Sequence, residues 1–543
     1  MVEPGTILSA VDLCFKLGVQ IAKACEAWKH ADSEVRERMV RLDLYWAQTR
    51  TQLDFMRKIA QTIDGELLET MENVLGLLAA KLTLVSSKLD KLLECSGSTP
   101  TSASVLKVKR GRYAITKTAF DATMDDLEKW QKRFDPCWFL MLRIASPLID
   151  QELREMNESD AIARQDHPKL GISATTSSKS PVSVADGLRD ALRDSPKRSA
   201  SVFLPFDASL ELSLIPFSPI RLALRHSNNN TQAKQYIVDR FDIPPHSDQH
   251  AVRRDARDMA RKLANSDPDT FGLLRAKGVM SVHGQNSQQV EQFNFIYYVP
   301  EGLTSPQSLR QVLVQSHDCL HLSQKVRIAR DLATSVGFVH NFNFVHKNIH
   351  PESVLLLERP VDASMATFLV GFECFRSADA GSLKKGDADW HKDLYRHPTR
   401  QGPNPEASYV MQHDIYSLGV CLLELGLSTS FVSYEDGKPQ KGPVLAQMEQ
   451  DGVSDDGTVE DSTLPPEMTK TYQIKNSLLS LTKTKLSRRM GPRYASVVAT
   501  CLTCLDADNK DFGDESEMTD EDGIIVGVRF IEKIITKLND ITV

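Results

Sequence analysis

Between Thr6 and Ala27 apolar residues return every three or four positions, at Ile7, Leu8, Val11, Phe15, Val19 and Ala22. Asp12, Lys16, Gln20 and Lys23 take the other faces, which is the pattern of an amphipathic helix. The same period predicts a second helix over Ser33–Ile63, through Val35, Met39, Leu42, Trp46, Leu53, Met56 and Ile63. A third is predicted over Glu66–Leu93, Leu-rich at near-heptad spacing, with a Gly/Ser/Thr/Pro cluster at Ser96–Ser104 to end it. A fourth is predicted over Arg112–Arg133, and Phe134-Asp135-Pro136 should break the chain before the apolar run Trp138–Leu153. Amphipathic helices joined by short turns imply a helical bundle over residues 1–157.

From Glu158 to Ser201 the chain becomes rich in Ser, Thr and Pro and nearly loses its aromatics, so residues 158–205 read as a linker. Within it, Ser183–Arg193 has the pattern of a short helix that would brace two domains. Beyond it the period shortens. Leu210–Leu224 and Gln235–Phe241 read as strands around the Asn228-Asn229-Asn230 turn, and a helix follows at Gln249–Ala264. Strands resume at Gly278–His283 and Phe293–Val299, and from Ser323 the pattern is mainly helical apart from Phe344–Phe375. The expected fold class is therefore α + (α+β): a helical bundle, then residues 206–543 as a strand-rich part (206–300) and a helix-rich part (301–543).

A length of 543 residues exceeds one core and fits two or three domains. The net charge of −7 gives no electrostatic reason to expect nucleic acid as a partner. Nine scattered cysteines, mostly in apolar runs, suit a reducing compartment. Cys501 and Cys504 form a CxxC without a second pair, so they are expected on a buried helix face rather than on zinc. The acidic run Asp506–Asp522 puts Lys510 at the third ligand position of a calcium loop, which excludes that loop; no metal is expected. No signal-peptide pattern opens the chain, and no uncharged apolar run reaches the roughly 18 residues of a membrane span. A cytoplasmic location is the expectation.

Four motifs carry candidate chemistry. VHKNIHPESVLL (Val345–Leu356) resembles the protein-kinase catalytic loop, and LVGFECF (Leu369–Phe375) stands where kinases place Asp-Phe-Gly. YRHPTR (Tyr395–Arg400) resembles the end of the activation segment, and HDIYSLGVCLLEL (His413–Leu425) the central helix with its buried acid, Asp414. The resemblance implies a bilobal kinase-like fold in which His346 and Asp414 are structural. It also implies that phosphoryl transfer has lost its groups. Asn348 replaces the base, His350 the loop lysine, Ser353 one metal ligand and Gly371 the principal one; Lys347 and Phe372 complete the degenerate motifs. Glu373 would offer a carboxylate from a shifted position. Neither a GxGxxG run nor a lysine is found on the strand that carries Asp239 and Arg240, and Gln249–Ala264 holds Asp255 and Asp258 but no Glu. The reading is a pseudokinase without cofactor, with ATP binding open but not favoured.

The opening helix, the Leu-rich third helix and FDPCWFLMLRI (Phe134–Ile144) resemble fungal HeLo domains of the prion-inhibition and propagation type. Bundle, brace and pseudokinase with Gly371-Phe372-Glu373 occur in the same order in the mixed-lineage-kinase-like pseudokinases of necroptosis. The resemblance implies programmed cell death or heterokaryon incompatibility as the setting. It further implies a homo-oligomer, an upstream signalling protein with a related helical domain, and recruitment to anionic lipid of the plasma membrane. Ile7, Leu8, Val11, Phe15 and Val19 are the candidate membrane or oligomer face; the same residues also fit one core face of a bundle. Three functional classes follow in order: a membrane-acting effector, a soluble signalling scaffold or adaptor, and a divergent active kinase.

Overall fold

The computed structural model describes residues 4–27, 33–63, 65–94, 121–122, 124, 127, 130–131, 134–166, 181–192, 201–207, 209–227, 230–243, 247–284, 289–315, 320–361, 364–372, 376–377, 389–451, 466–512 and 524–543. It divides into two compact units, Met1–Arg189 and Asp190–Val543.

The first unit is helical: α1 (Pro4–Ala27), α2 (Ser33–Ile59), α3 (Gly65–Glu94), α4 (the described helical residues from 121 to 140), α5 (Pro147–Asp166) and α6 (Pro181–Leu192). The core stripe of α1 is Ile7, Val11, Cys14, Ile21 and Cys25. Gly18 continues that stripe, because a Cβ there would lie 2.0 Å from the Trp46 ring. The candidate face therefore splits. Ile7 and Val11 are fully buried, Leu8 and Phe15 are half-buried, and Val19 is 41% exposed. Phe15 meets Trp46 edge-on at 6.0 Å, and the Arg57 guanidinium lies over its ring. By length and composition Gly5–Cys25 could cross a membrane, with a mean hydropathy of 1.4, although Asp12, Lys16 and Lys23 interrupt its apolar residues.

Helix α4 does not stop at Arg133. Residues 134–140 are helical, so Pro136 lies within the helix and not at a break. Tertiary packing outweighs the lost amide: Phe134 and Trp138 are fully buried, and the Asp135 carboxylate accepts from Gln52 (2.9 Å) and Gln131 (2.6 Å). The run Trp138–Leu153 is in turn interrupted by a 3₁₀ turn, Met141–Arg143, before Pro147 opens α5. The Ser96–Ser104 turn and the first residues of the fourth predicted helix lie outside the described residues.

The expected linker is partly structured. Helix α5 runs on to Asp166, and α6 buries Val182, Val184, Ala185, Leu188 and Arg189. Arg189 donates from Nε to Asp150 Oδ1 (2.8 Å), from Nη2 to the Ile144 carbonyl (2.8 Å), and from Nη1 to the Leu142 carbonyl. Asn157 Nδ2 donates to Asp186 (2.8 Å). The helical unit thus extends past residue 157 because an ion pair buried on both sides holds α6 to α5.

The second unit opens with β1 (Phe203–Leu204), β2 (Leu210–Leu214), β3 (Arg221–Ser227) and β4 (Asn230–Asp242), then α7 (Gln249–Ala264), α8 (Pro268–Phe271), β5 (Ala276–His283) and β6 (Val290–Tyr298). These strands form one sheet in the order β1-β5-β6-β4-β3-β2, antiparallel except for β1 beside β5. Ala223, Tyr236, Val238, Met280 and Ile296 make one face of its core. Asp248 caps α7 by accepting from His250 and Ala251, and α7 packs on β5. There follow β7 (Thr304–Ser308), α9 (Leu309–Gln315), α10 (Leu322–Asn341), β8 (Phe344–Val345), β9 (Val354–Arg359), β10 (Ser364–Leu369) and β11 (Arg376–Ser377). Next come α11 (Trp390–Asp393), α12 (Met411–Leu427) and the hairpin β12 (Val432–Glu435) with β13 (Lys438–Lys441). Further helices follow, among them Pro466–Leu481, Pro492–Leu502 and Ile524–Phe530; Cys501 is buried on Pro492–Leu502, whereas Cys504 is buried in the turn after it and not on a helix face.

Truncating Arg189 to Ala removes the cation that faces the buried Asp150 carboxylate. A loss of about 3–5 kcal/mol is expected, read from urea denaturation followed by tryptophan fluorescence.

Candidate functional site

The Asp414 side chain stands in the first turn of α12 and is fully buried. It accepts from the backbone amides of His346 (2.7 Å) and Lys347 (3.0 Å), from the Tyr409 hydroxyl (2.6 Å), and from His340 Nε2 (3.2 Å). Burial pushes its carboxyl up, but the hydrogen bonds from His340 and Tyr409 outweigh that and hold it below the ordinary carboxylate range. The two amides meet one carboxylate because Lys347 adopts a left-handed conformation, φ 64°.

His346 is likewise fully buried. Its Nδ1 accepts from the Asn348 amide (3.3 Å), so Nε2 carries the proton it donates to the Val370 carbonyl (3.1 Å). The ring lies 4.5 Å from that of Phe372. Burial lowers its pKa to about 4 against the pull of Asp414. Asn348 uses both ends of its amide, donating from Nδ2 to the Gly371 carbonyl (2.9 Å) and accepting at Oδ1 from His350 Nε2 (2.9 Å). His350 is lowered to about 3, again by burial first. Ser353 Oγ bonds the Asn348 and His350 carbonyls at 2.8 and 2.9 Å.

Gly371 and Phe372 face β4. Both backbone amides donate to one oxygen of Asp239, at 2.9 and 3.1 Å, and Asp239 is 3% exposed. Gly371 has φ +80°, and a Cβ there would come within 2.9 Å of Ser353 Cβ. Glu373 lies outside the described residues, as does most of the acidic run that begins at Asp506.

The structure therefore brings His346, Lys347, Asn348, His350, Ser353, Gly371, Phe372 and Asp414 into one network. The Asn348 amide and the Ser353 hydroxyl are spent on backbone and neighbouring side chains, and His346 and His350 are neutral. Among the described residues no three of His, Cys, Asp and Glu converge as metal ligands. Ile7, Leu8, Val11, Phe15 and Val19 belong to the other unit.

Two features were not read from the sequence. Asp239 was visible as an acid after Ile237 and Val238, but nothing local shows that it receives the Gly371 amide. The second is the buried cluster in which Arg310 donates to Glu424 (3.0 Å), Ser430 (2.7 Å) and Tyr395 (2.7 Å). Its signal is Glu424 itself, an acid inside the apolar run of α12 that demands a cation.

Asp239→Ala orphans two buried amides. Each is expected to cost about 1–3 kcal/mol in urea denaturation, whereas Asp239→Asn, which keeps an acceptor oxygen, should lose less.

Four histidines share one acid response: His346 and His413 are lowered to about 4, His350 to about 3 and His397 to about 2, burial leading in each case. Above the ordinary value of 6.5 both folded and unfolded chains hold them neutral. As pH falls below it, the unfolded chain takes up protons first, and stability is lost until the folded values are passed. The urea midpoint should be flat above about pH 7 and fall on acidification, each histidine contributing up to about 1.4 kcal/mol per pH unit. A midpoint constant down to about pH 5 would contradict this.

No protein-family model matches the chain.

Proposed function

We propose that residues 190–543 form a protein-kinase-like domain that does not transfer phosphate, and that it restrains a helical unit that acts at a membrane. The observation that carries the first half is Asp239. Its carboxylate sits on the Gly371 and Phe372 amides, on the strand where a kinase offers a lysine to nucleotide phosphates. A carboxyl there cannot neutralise a triphosphate as a lysine would. The order of elements supports the domain: a mostly antiparallel sheet with α7 between β4 and β5, then helices, with the His346–Ser353 loop tied to Gly371 and to Asp414.

Support for the second half comes from α1. Only 28% of its apolar window is buried, Leu13 and Val19 are exposed, and Lys16 and Lys23 lie on the open face, where anionic lipid would attract them. In this reading the chain is an effector of the cell-death or heterokaryon-incompatibility kind, resident in the cytoplasm and recruited to the plasma membrane as a homo-oligomer. One observation favours a soluble scaffold in its place: Ile7, Val11, Cys14, Ile21 and Cys25 form a continuous seam against the bundle, as any core helix would.

Dye release from anionic vesicles separates the two, with residues 1–192 beside the full chain. Leakage by the fragment and not by the full chain is expected, and Leu13→Glu, which charges an exposed position, should abolish it. A folded fragment that ignores vesicles selects the scaffold. On the nucleotide side, MgATP should leave the melting temperature of the full chain unchanged; a saturable rise would refute the Asp239 argument.

A further inference from the structure

The β2–β3 turn, Ile215-Pro216-Phe217-Ser218-Pro219-Ile220, is latched to the far side of its own unit. Ser218 Oγ donates to the Glu352 carbonyl at 2.7 Å, and Ser308 Oγ donates to the Pro216 carbonyl at 2.7 Å. The Phe217 ring lies 5.0 Å from that of Tyr434, whose hydroxyl donates to the Glu352 carboxylate. Glu352 is also 3.6 Å from Arg310 Nε. Burial pushes its carboxyl up, but the Arg310 guanidinium and the bond from Tyr434 hold it below the ordinary range. The turn closes on itself through Ile215 N to the Ile220 carbonyl (3.1 Å) and Ser218 N to the Ile215 carbonyl (3.2 Å), with Ile215 and Ile220 buried beneath it.

The tip carries a second kind of information. Ser218 is followed directly by Pro219, with Arg221 two residues further on, and Pro216 and Pro219 are exposed while Phe217 and Ser218 are half-buried. A serine before proline with a basic residue after it is what proline-directed protein kinases read: the ring fixes the backbone and dispenses with an amide hydrogen bond, and the cation meets an acidic surface on the kinase.

We propose that Ser218 is a phosphorylation site for a proline-directed protein kinase, and that the phosphate releases the β2–β3 turn from the Glu352 loop. In that step Ser218 Oγ attacks the terminal phosphorus of a nucleoside triphosphate bound to the modifying kinase. An O–P bond forms, the bond to the departing nucleoside diphosphate breaks, and the hydroxyl proton passes to that kinase's base. The hydroxyl that donates to the Glu352 carbonyl becomes an acceptor group carrying about −1.5 to −2 charges. It then confronts a carbonyl oxygen and, behind it, an ionised carboxylate already engaged by Tyr434 and Arg310. Donation turns into repulsion at the one contact that ties the tip to residue 352. Phe217, at φ 53°, loses the frame that holds its ring on Tyr434. The result is a freed hairpin end, with Tyr434 and Glu352 uncovered.

The test uses the full-length chain incubated with a proline-directed kinase and MgATP, then peptide mass mapping and amide hydrogen exchange. One phosphate on Ser218 is expected, with exchange over residues 215–220 faster by about tenfold or more. Pro219→Ala keeps the hydroxyl and its bond but removes the recognition element; it should take up no phosphate at 218 and keep the slow exchange. Two results would overturn the proposal. One is a full-length chain unmodified at Ser218 under conditions that phosphorylate a peptide of residues 212–224. The other is a Ser218 phosphate that leaves exchange in the turn unchanged.

Discussion

Two backbone amides, a phenol and an imidazole converge on the Asp414 carboxylate in a place without solvent. In water such a group is satisfied by hydration; here the protein must supply every donor, so the positions of all four are fixed together. The left-handed Lys347 exists because two successive amides must point the same way, and the Asp414 bonds stabilise a conformation that is otherwise unfavourable by about 1–3 kcal/mol. From that fixed loop the constraint passes outward. His346 is oriented toward Val370 and Phe372, Asn348 holds Gly371, and the Gly371 and Phe372 amides are left aimed at Asp239 on the sheet. The sheet and the helices of the second unit are thereby joined through polar contacts that begin at one side chain of α12.

The same chain of bonds bears on what the site does. A loop that binds and transforms a substrate keeps donors and acceptors open for it. In this loop they close on one another: an amide spent at both ends, a hydroxyl shared between two carbonyls, two neutral imidazoles, and a carboxylate seated on backbone. The arrangement rigidifies the loop, because each of these polar groups is held by another within it.

Much of this was legible in the chain. Period 3.6 placed α1, α2 and α3, and Gln249–Ala264 coincides with α7, since Asp248 caps it and its buried residues Ala256, Met259, Ala260 and Leu263 recur at helical spacing. The motif around Asp414 and the His346–Ser353 loop were visible as short, ordered segments, although the bonds that join them span 68 positions. What failed to come through depends on partners distant in sequence. Pro136 stays in a helix because Gln52 and buried aromatics hold it there. Helix α6 joins the first unit through Arg189 and four buried apolar residues in a stretch that a composition-based reading counts as linker. Val19 fits the apolar period yet faces outward, because the seam of α1 drifts toward Cys14, Gly18 and Ile21 over its length. The Arg310–Glu424 pair spans 114 positions, a separation over which no local pattern carries information.

Helix α12 has a consequence for how the second unit is made. All of its 17 residues are buried, so it has no face that water can stabilise while the rest of the chain is still open. Its surroundings come from Arg310, from His346 and from the helix Pro492–Leu502, segments synthesised both before and after it. An isolated stretch of this kind gains little from its own hydrogen bonds and exposes an aliphatic surface carrying one stranded glutamate. It can therefore settle only when those distant segments arrive together, which makes assembly of this unit a single late event, slow in the manner of non-local topologies. Until the helix Pro492–Leu502 leaves the ribosome, α12 is a surface that chaperones would be required to cover.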